Sequence, residues 1–195
     1  MMRVGREPQG TEMECERIWL IGFMGTGKSR IARPLAAALD WQALDIDTMV
    51  EELAQDSVRG IFASGGEGAF RAVEAQALAR AAAVRHAVIA TGGGSVLGEE
   101  NRARMRDNGF VVLLEATPET IVRRLMQSDA HISERPLLTG DDPVRRIIEL
   151  KRQRETAYAM LADITVETDE LTPDQITHQI LTAFRERTAP AASTT

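Results

Sequence analysis

The sequence predicts an α/β fold: a three-layer α/β/α arrangement with a five-stranded parallel sheet, a phosphate-binding loop and a mobile lid. Three observations predict it. Five short apolar runs alternate with helical segments along the chain. A glycine-rich turn from Gly22 to Ser29 joins the first of those runs directly to the first helix. The chain has 195 residues, 44% of them apolar, which is one ordinary domain with material for a sizeable core. Only 4% are aromatic, so that core must be aliphatic and alanine-rich.

Taken in order, RIWLI (17–21) is a short buried strand closed by Gly22. A helix follows over 28–40, with Ile31, Leu35 and Leu39 at helical spacing. Pro34 falls in its second turn, where a missing N–H costs less than in mid-helix. Residues 41–45 read as the second strand and 48–55 as a short helix. Over 57–83 the pattern is a short helix, a glycine-rich break and a longer helix from about Glu67. The third strand, 87–91, is stopped by Gly92, Gly93 and Gly94. A helix (98–108) and the fourth strand (110–116) come next, then a helix with Thr117 as N-cap and Pro118 at its first position. Residues 128–142 are polar and turn-rich, and a loop of that length suits a lid or a disordered segment. A helix with Pro143 at its start (143–161), the fifth strand (163–168) and a last helix opened by Thr-Pro (172–187) complete the alternation. A single domain over 17–187 is expected, with frayed tails at 1–16 and 188–195.

Composition excludes several classes. The net charge of -6 argues against a general nucleic-acid or membrane surface, though not against a local basic pocket. Cys15 is the only cysteine, so no intrachain disulfide or cysteine-based metal site can form. No apolar stretch approaches the roughly 18 residues of a membrane span, and the N-terminus lacks a signal-peptide core. A cytoplasmic protein is expected. His86, His131 and His178 have no metal-ligand spacing.

Gly22-x-x-x-x-Gly27-Lys28-Ser29 matches G-x-x-x-x-G-K-[ST] in full, with a strand before it and a helix after. Its backbone N–H groups and the helix start make an anion nest. Lys28 brings a charge to the outer phosphates, and Ser29 offers a hydroxyl to Mg²⁺. Asp45 and Asp47 stand at the end of the second strand, where ligands of open α/β sheets bind. One could serve a metal shell and the other receive a hydroxyl proton; Asp47 could also simply cap the next helix. The three glycines at 92–94 would let a ligand approach the backbone, where one glycine would serve a turn. Alone, Arg71 and Glu74 read as a surface i, i+3 pair, Arg135 as a lid or surface arginine, and Arg154 with Tyr158 as simple packing.

Together, GFMGTGKS, LDIDTMVE, IFASGGEGAFRAVE, IATGGG, RPLL and RQRETAY, in that order, resemble the shikimate kinases. These are P-loop enzymes of the nucleoside-monophosphate-kinase type. The resemblance covers roughly Arg17 to Arg187. It implies transfer of the γ-phosphate of ATP to the 3-hydroxyl of shikimate, in aromatic amino-acid biosynthesis, with Mg²⁺. By resemblance Asp47 holds the ring hydroxyls and accepts the proton of the attacking one. Asp45 joins Ser29 in the Mg²⁺ shell, through water. Arg71 and Arg154 clasp the shikimate carboxylate, with Glu74 orienting Arg71. Gly92, Gly93 and Gly94 meet the substrate through the backbone, and Phe62 and Phe70 line its pocket. Gly25, Thr26, Gly27, Lys28, Ser29 and Arg30 form the nucleotide site. Arg135 reaches the phosphates from the lid. Arg124 stacks on adenine, with Arg123 as the neighbouring candidate. The resemblance implies a monomer that binds ATP and shikimate. A sugar-acid kinase would share Lys28, Ser29 and one carboxylate-binding arginine. A nucleotide-binding regulator would need no acceptor site. The combination of Asp47, Arg71 and Arg154 argues against both.

Overall fold

The computed structural model describes residues 3–4, 15–127 and 142–189. Its elements, in chain order, are β1 (Arg3–Val4), β2 (Arg17–Ile21), α1 (Lys28–Leu39), β3 (Gln42–Asp45), α2 (Ile46–Ala54), α3 (Val58–Ala83) and β4 (Ala87–Ala90). A 3₁₀ turn (Ser95–Leu97) leads to α4 (Glu99–Asn108), β5 (Phe110–Glu115), α5 (Pro118–Gln127), α6 (Pro143–Leu161), β6 (Ile164–Glu167) and α7 (Pro173–Thr188). The sheet order is β1-β6-β5-β2-β4-β3. The five predicted strands pair in parallel. The sequence reading put all of 1–16 in a tail; Arg3 and Val4 instead pair antiparallel with Thr165 and Ile164 at the β6 edge.

The alternation of β2 builds the layers. Ile18 and Leu20 face one side of the sheet and pack with Ile31 and Leu35 of α1 and Ile176, Ile180 and Phe184 of α7. Trp19 and Ile21 face the other side and pack with Ile46 of α2, Phe70 and Leu78 of α3, and Tyr158 and Leu161 of α6. All four strand residues are fully buried. Burying a side chain of this size contributes roughly 1.5–3 kcal/mol.

This layering also opens the site. After β2 the chain turns into α1 on one face, whereas the helix after β4, α4, places Met105 in the core of the other face. β2 and β4 are neighbours, with Leu20 opposite Ala90. Their loops therefore diverge at the carboxyl edge and leave a crevice, the usual ligand position in such sheets.

Local signals set the boundaries. Thr117 accepts from the Thr120 N–H, and Thr172 with Gln175 makes a full capping box. In α3 the expected glycine-rich break is present at Gly66 (φ 69°, ψ -171°), whose non-helical backbone divides the run into two helical parts. Helix α2 starts two residues earlier than expected. Asp45, not Asp47, is its cap: Asp45 Oδ1 accepts the Asp47 N–H at 3.0 Å. An N-cap side chain reaches the second amide of the helix, and from Asp45 that amide is Asp47.

Candidate active site

The crevice is built from the phosphate loop outward. Gly22 has φ 136°, and a Cβ there would stand 2.3 Å from the Leu114 carbonyl oxygen. Both the dihedral and the immovable backbone neighbour require glycine. Thr26 ties the loop to itself through its hydroxyl, which donates to the Phe23 carbonyl at 2.8 Å. Lys28 Nζ donates to the Gly22 and Phe23 carbonyls at 2.8 Å each, so its charge lies across the loop. Gly27 precedes α1 with φ 103°, and Ser29 and Arg30 are exposed in the first turn of that helix. The helix start thus presents amides and a positive dipole end to an anion.

Asp45 is in register with Ala90, and Ala90 with Leu20. This shared level puts the Asp45 carboxylate at the same sheet edge as the phosphate loop. Among the described residues no three His, Cys, Asp or Glu side chains form a metal cluster. The Ser29 hydroxyl and the Asp45 carboxylate are a sparse set of hard oxygens, which fits Mg²⁺ shared with phosphates and water.

The three glycines gather the remaining groups. A Cβ on Gly92 would stand 3.2 Å from Asp47 Oδ1 and 2.7 Å from Glu74 Oε1. One on Gly93 would stand 3.1 Å from the Met24 amide nitrogen of the phosphate loop and 3.6 Å from Arg154 Nη1. One on Gly94 would stand 2.2 Å from Arg71 Nη2. The turn therefore touches the carboxylate, the phosphate loop and both arginines in succession. Arg154 Nη1 donates to the Gly93 carbonyl at 3.0 Å, and its guanidinium lies 5.5 Å from the Phe23 ring centroid.

Arg71 is not the solvated surface pair its spacing suggests. Its Nη1 donates at 2.7 Å to Glu74 Oε2, and Glu74 is fully buried. Glu74 Oε1 accepts from the Ser95 hydroxyl at 2.7 Å. Burial alone would lower the Arg71 pKa, but Glu74 and Glu67 outweigh it and the pKa is raised. The guanidinium lies 5.2 Å from the Phe70 ring centroid, and Phe70 packs on Phe62 at 4.9 Å.

Arg124 and Arg123 part company. Arg124 Nη1 donates to the Gly25 and Thr26 carbonyls at 3.4 and 3.5 Å, and Nη2 donates to the Thr168 carbonyl at 2.6 Å. Arg123 donates instead to the Thr120 hydroxyl within α5. Arg124 is thus the arginine fastened to the phosphate loop. Arg135 and the lid segment 128–141 lie outside the described residues. Sequence reasoning missed Ser95 and the Tyr158 hydroxyl, which donates to the Gly93 carbonyl. Tyr158 closes the RQRETAY segment, but only the fold brings its hydroxyl and Ser95 to the turn.

The family model described as shikimate kinase matches residues 24–185. The chain belongs to the shikimate kinase family. It is an ATP-dependent kinase of aromatic biosynthesis. It is 46% identical over 168 residues to a shikimate kinase of Moorella thermoacetica, across 86% of this chain and 94% of that one. A Symbiobacterium thermophilum shikimate kinase is 42% identical, across 87% and 97% of the two chains. Among solved structures, shikimate kinase from Acinetobacter baumannii in complex with shikimate superposes with a TM-score of 0.84 at 29% identity. That match covers 91% of this chain and 97% of the other. Here the phosphate loop and the triglycine turn sit at one sheet edge.

Proposed function

We propose that this chain phosphorylates the 3-hydroxyl of shikimate through the groups collected on Gly92–Gly94. The observation that carries the reading is the order along that turn: Asp47 at Gly92, Arg154 and the phosphate loop at Gly93, Arg71 at Gly94. A substrate lying on the turn meets a base at one end and cations at the other, with the phosphate loop between them.

Shikimate is a small anion with a carboxylate and three hydroxyls. Arg71 and Arg154 clasp the carboxylate, since a planar guanidinium binds a carboxylate in bidentate fashion. Hydrogen bonds to charged groups contribute about 1.5–3 kcal/mol each, so two arginines reject a neutral analogue by about a hundredfold or more. Phe62 and Phe70 form the apolar wall beside Arg71. Asp47 hydrogen-bonds the attacking hydroxyl, turns it in line with the γ-phosphate and accepts its proton. Phosphoryl transfer asks little covalent chemistry of a protein; positioning and charge stabilisation carry the rate. Lys28 holds the outer phosphates with the amides of Gly25, Thr26, Gly27 and Ser29, while Arg30 adds charge at the helix start. Ser29 and Asp45 would hold Mg²⁺, whose charge would offset that of the phosphate oxygens. Arg124, at the Gly25–Thr26 carbonyls, supports the adenine. Arg135 supplies further charge at the phosphates from 128–142.

The test is a coupled ADP-release assay with ATP and Mg²⁺, with shikimate or gluconate as acceptor. The reading predicts strong release with shikimate and a background rate with gluconate. Equal stimulation by both acceptors, or ATP binding with no stimulation by either, contradicts it.

A further inference from the structure

Tyr158 is the only tyrosine of the chain and lies one turn after Arg154 on α6. Its ring is buried in the core with Trp19, Ile21 and Ile89. Its hydroxyl reaches out of that core to the Gly93 carbonyl, the oxygen that also accepts from Arg154. Two donors thus share one carbonyl at the middle of the substrate turn. Burial raises the phenol pKa, so the hydroxyl keeps its proton across the working range.

The geometry has two consequences. No peptide bond among the described residues is cis. A planar trans peptide that aims the Gly93 oxygen at α6 aims the Gly94 N–H the opposite way. Second, Arg154 is itself buried, with 3% of its surface exposed, and its Nη1 is spent on that carbonyl. To bring Nη1 itself to a substrate anion it must turn from the carbonyl. A carbonyl has two acceptor sites, so with Tyr158 on one it stays satisfied when Arg154 leaves the other.

We infer that Tyr158 is a positioning residue of the substrate-anion pocket: its hydroxyl fixes the Gly93–Gly94 peptide with the Gly94 N–H toward the crevice and releases Arg154 to the carboxylate. Tyr158 does not touch substrate itself. The inference rests on Arg71 and Arg154 being the carboxylate clasp.

The test compares wild type, Tyr158→Phe and Arg154→Lys, with shikimate and its neutral methyl ester as acceptors. In Tyr158→Phe the KM for shikimate should rise about tenfold, the scale of one buried hydrogen-bonding group left unsatisfied. The KM for ATP and the kcat/KM for the ester should change less than twofold. Equal losses with acid and ester, or a parallel rise in the ATP KM, would show a packing role and overturn the inference. So would an unchanged KM for shikimate. Arg154→Lys separates the two levels: if it leaves the KM for shikimate unmoved, the clasp itself is wrong. A second measurement needs no variant. Full-length protein grown with 3-fluorotyrosine carries a single ¹⁹F label, at position 158. Its resonance should shift on saturation with shikimate and stay in place with the ester. No shift with shikimate contradicts the release of Arg154.

Discussion

At the scale of single residues, the substrate turn works by letting side chains take the space that a Cβ would fill. Gly94 shows it best. Its φ of -107° is open to any residue, so the need for glycine there comes from Arg71 rather than from the backbone. Gly94→Ala should therefore fold normally, because the far end of a flexible arginine can move aside. The displaced guanidinium should raise the KM for shikimate tenfold or more, the scale of a lost charged hydrogen bond, with the KM for ATP unchanged. Steady-state kinetics with each substrate varied in turn checks this. The phosphate loop was legible at this scale because its spacing is its function: Gly22, Gly27, Lys28 and Ser29 must stand where they do. Which of Asp45 and Asp47 caps the helix was not legible. From the sequence either stands close enough to its start, and only the start of α2 at Ile46 decides that Asp45 does. From spacing alone Arg71 and Glu74 read as surface groups, and only the resemblance gave them a site role, because i, i+3 spacing is blind to what covers the pair; Ser95 and the triglycine turn cover it.

Among the elements, α3 joins the core to the site. It carries Leu78 into the core under the sheet and Arg71 to the crevice. The kink at Gly66 separates the part bearing Phe62 from the part bearing Phe70 and Arg71. The dihedrals there are almost exclusive to glycine. Gly66→Ala should cost about 1–3 kcal/mol, read as a lower urea midpoint with an unchanged slope. Such breaks are readable in sequence because glycine pairs are rare inside helices, and the Thr-Pro starts of α5 and α7 for the same kind of reason. The two-residue β1 was not readable. Arg3 and Val4 carry no strand pattern of their own, and their pairing is set by the edge that β6 offers.

The whole molecule is a sheet whose two faces hold separate cores, with the chemistry at the edge where the connections diverge. The alternation of apolar runs with helices was enough to foresee this edge, since parallel strands send all their carboxyl ends one way. Closing contacts between distant segments were not foreseeable. One such contact joins Asp169, just after β6, to the start of α5: its carboxylate accepts from the Thr117 N–H and hydroxyl. Partial burial works to raise the Asp169 pKa, but the Thr117 hydrogen bonds outweigh it and hold the carboxyl below its ordinary value. A depressed carboxylate adds stability that is complete above its unfolded pKa of about 4 and is lost as pH falls through the folded value. Asp169→Asn should therefore lose less stability than wild type between pH 7 and pH 3, as thermal unfolding at both values would show. The central claim is that Asp47 at this edge takes the proton of the acceptor hydroxyl. The most direct measurement is shikimate-dependent ADP release by wild type and Asp47→Asn, with shikimate affinity determined alongside. The account predicts a rate lower by about 10²–10⁴-fold in Asp47→Asn, the range for a lost general base, with binding changed far less. A variant that still turns over within tenfold of wild type would contradict it.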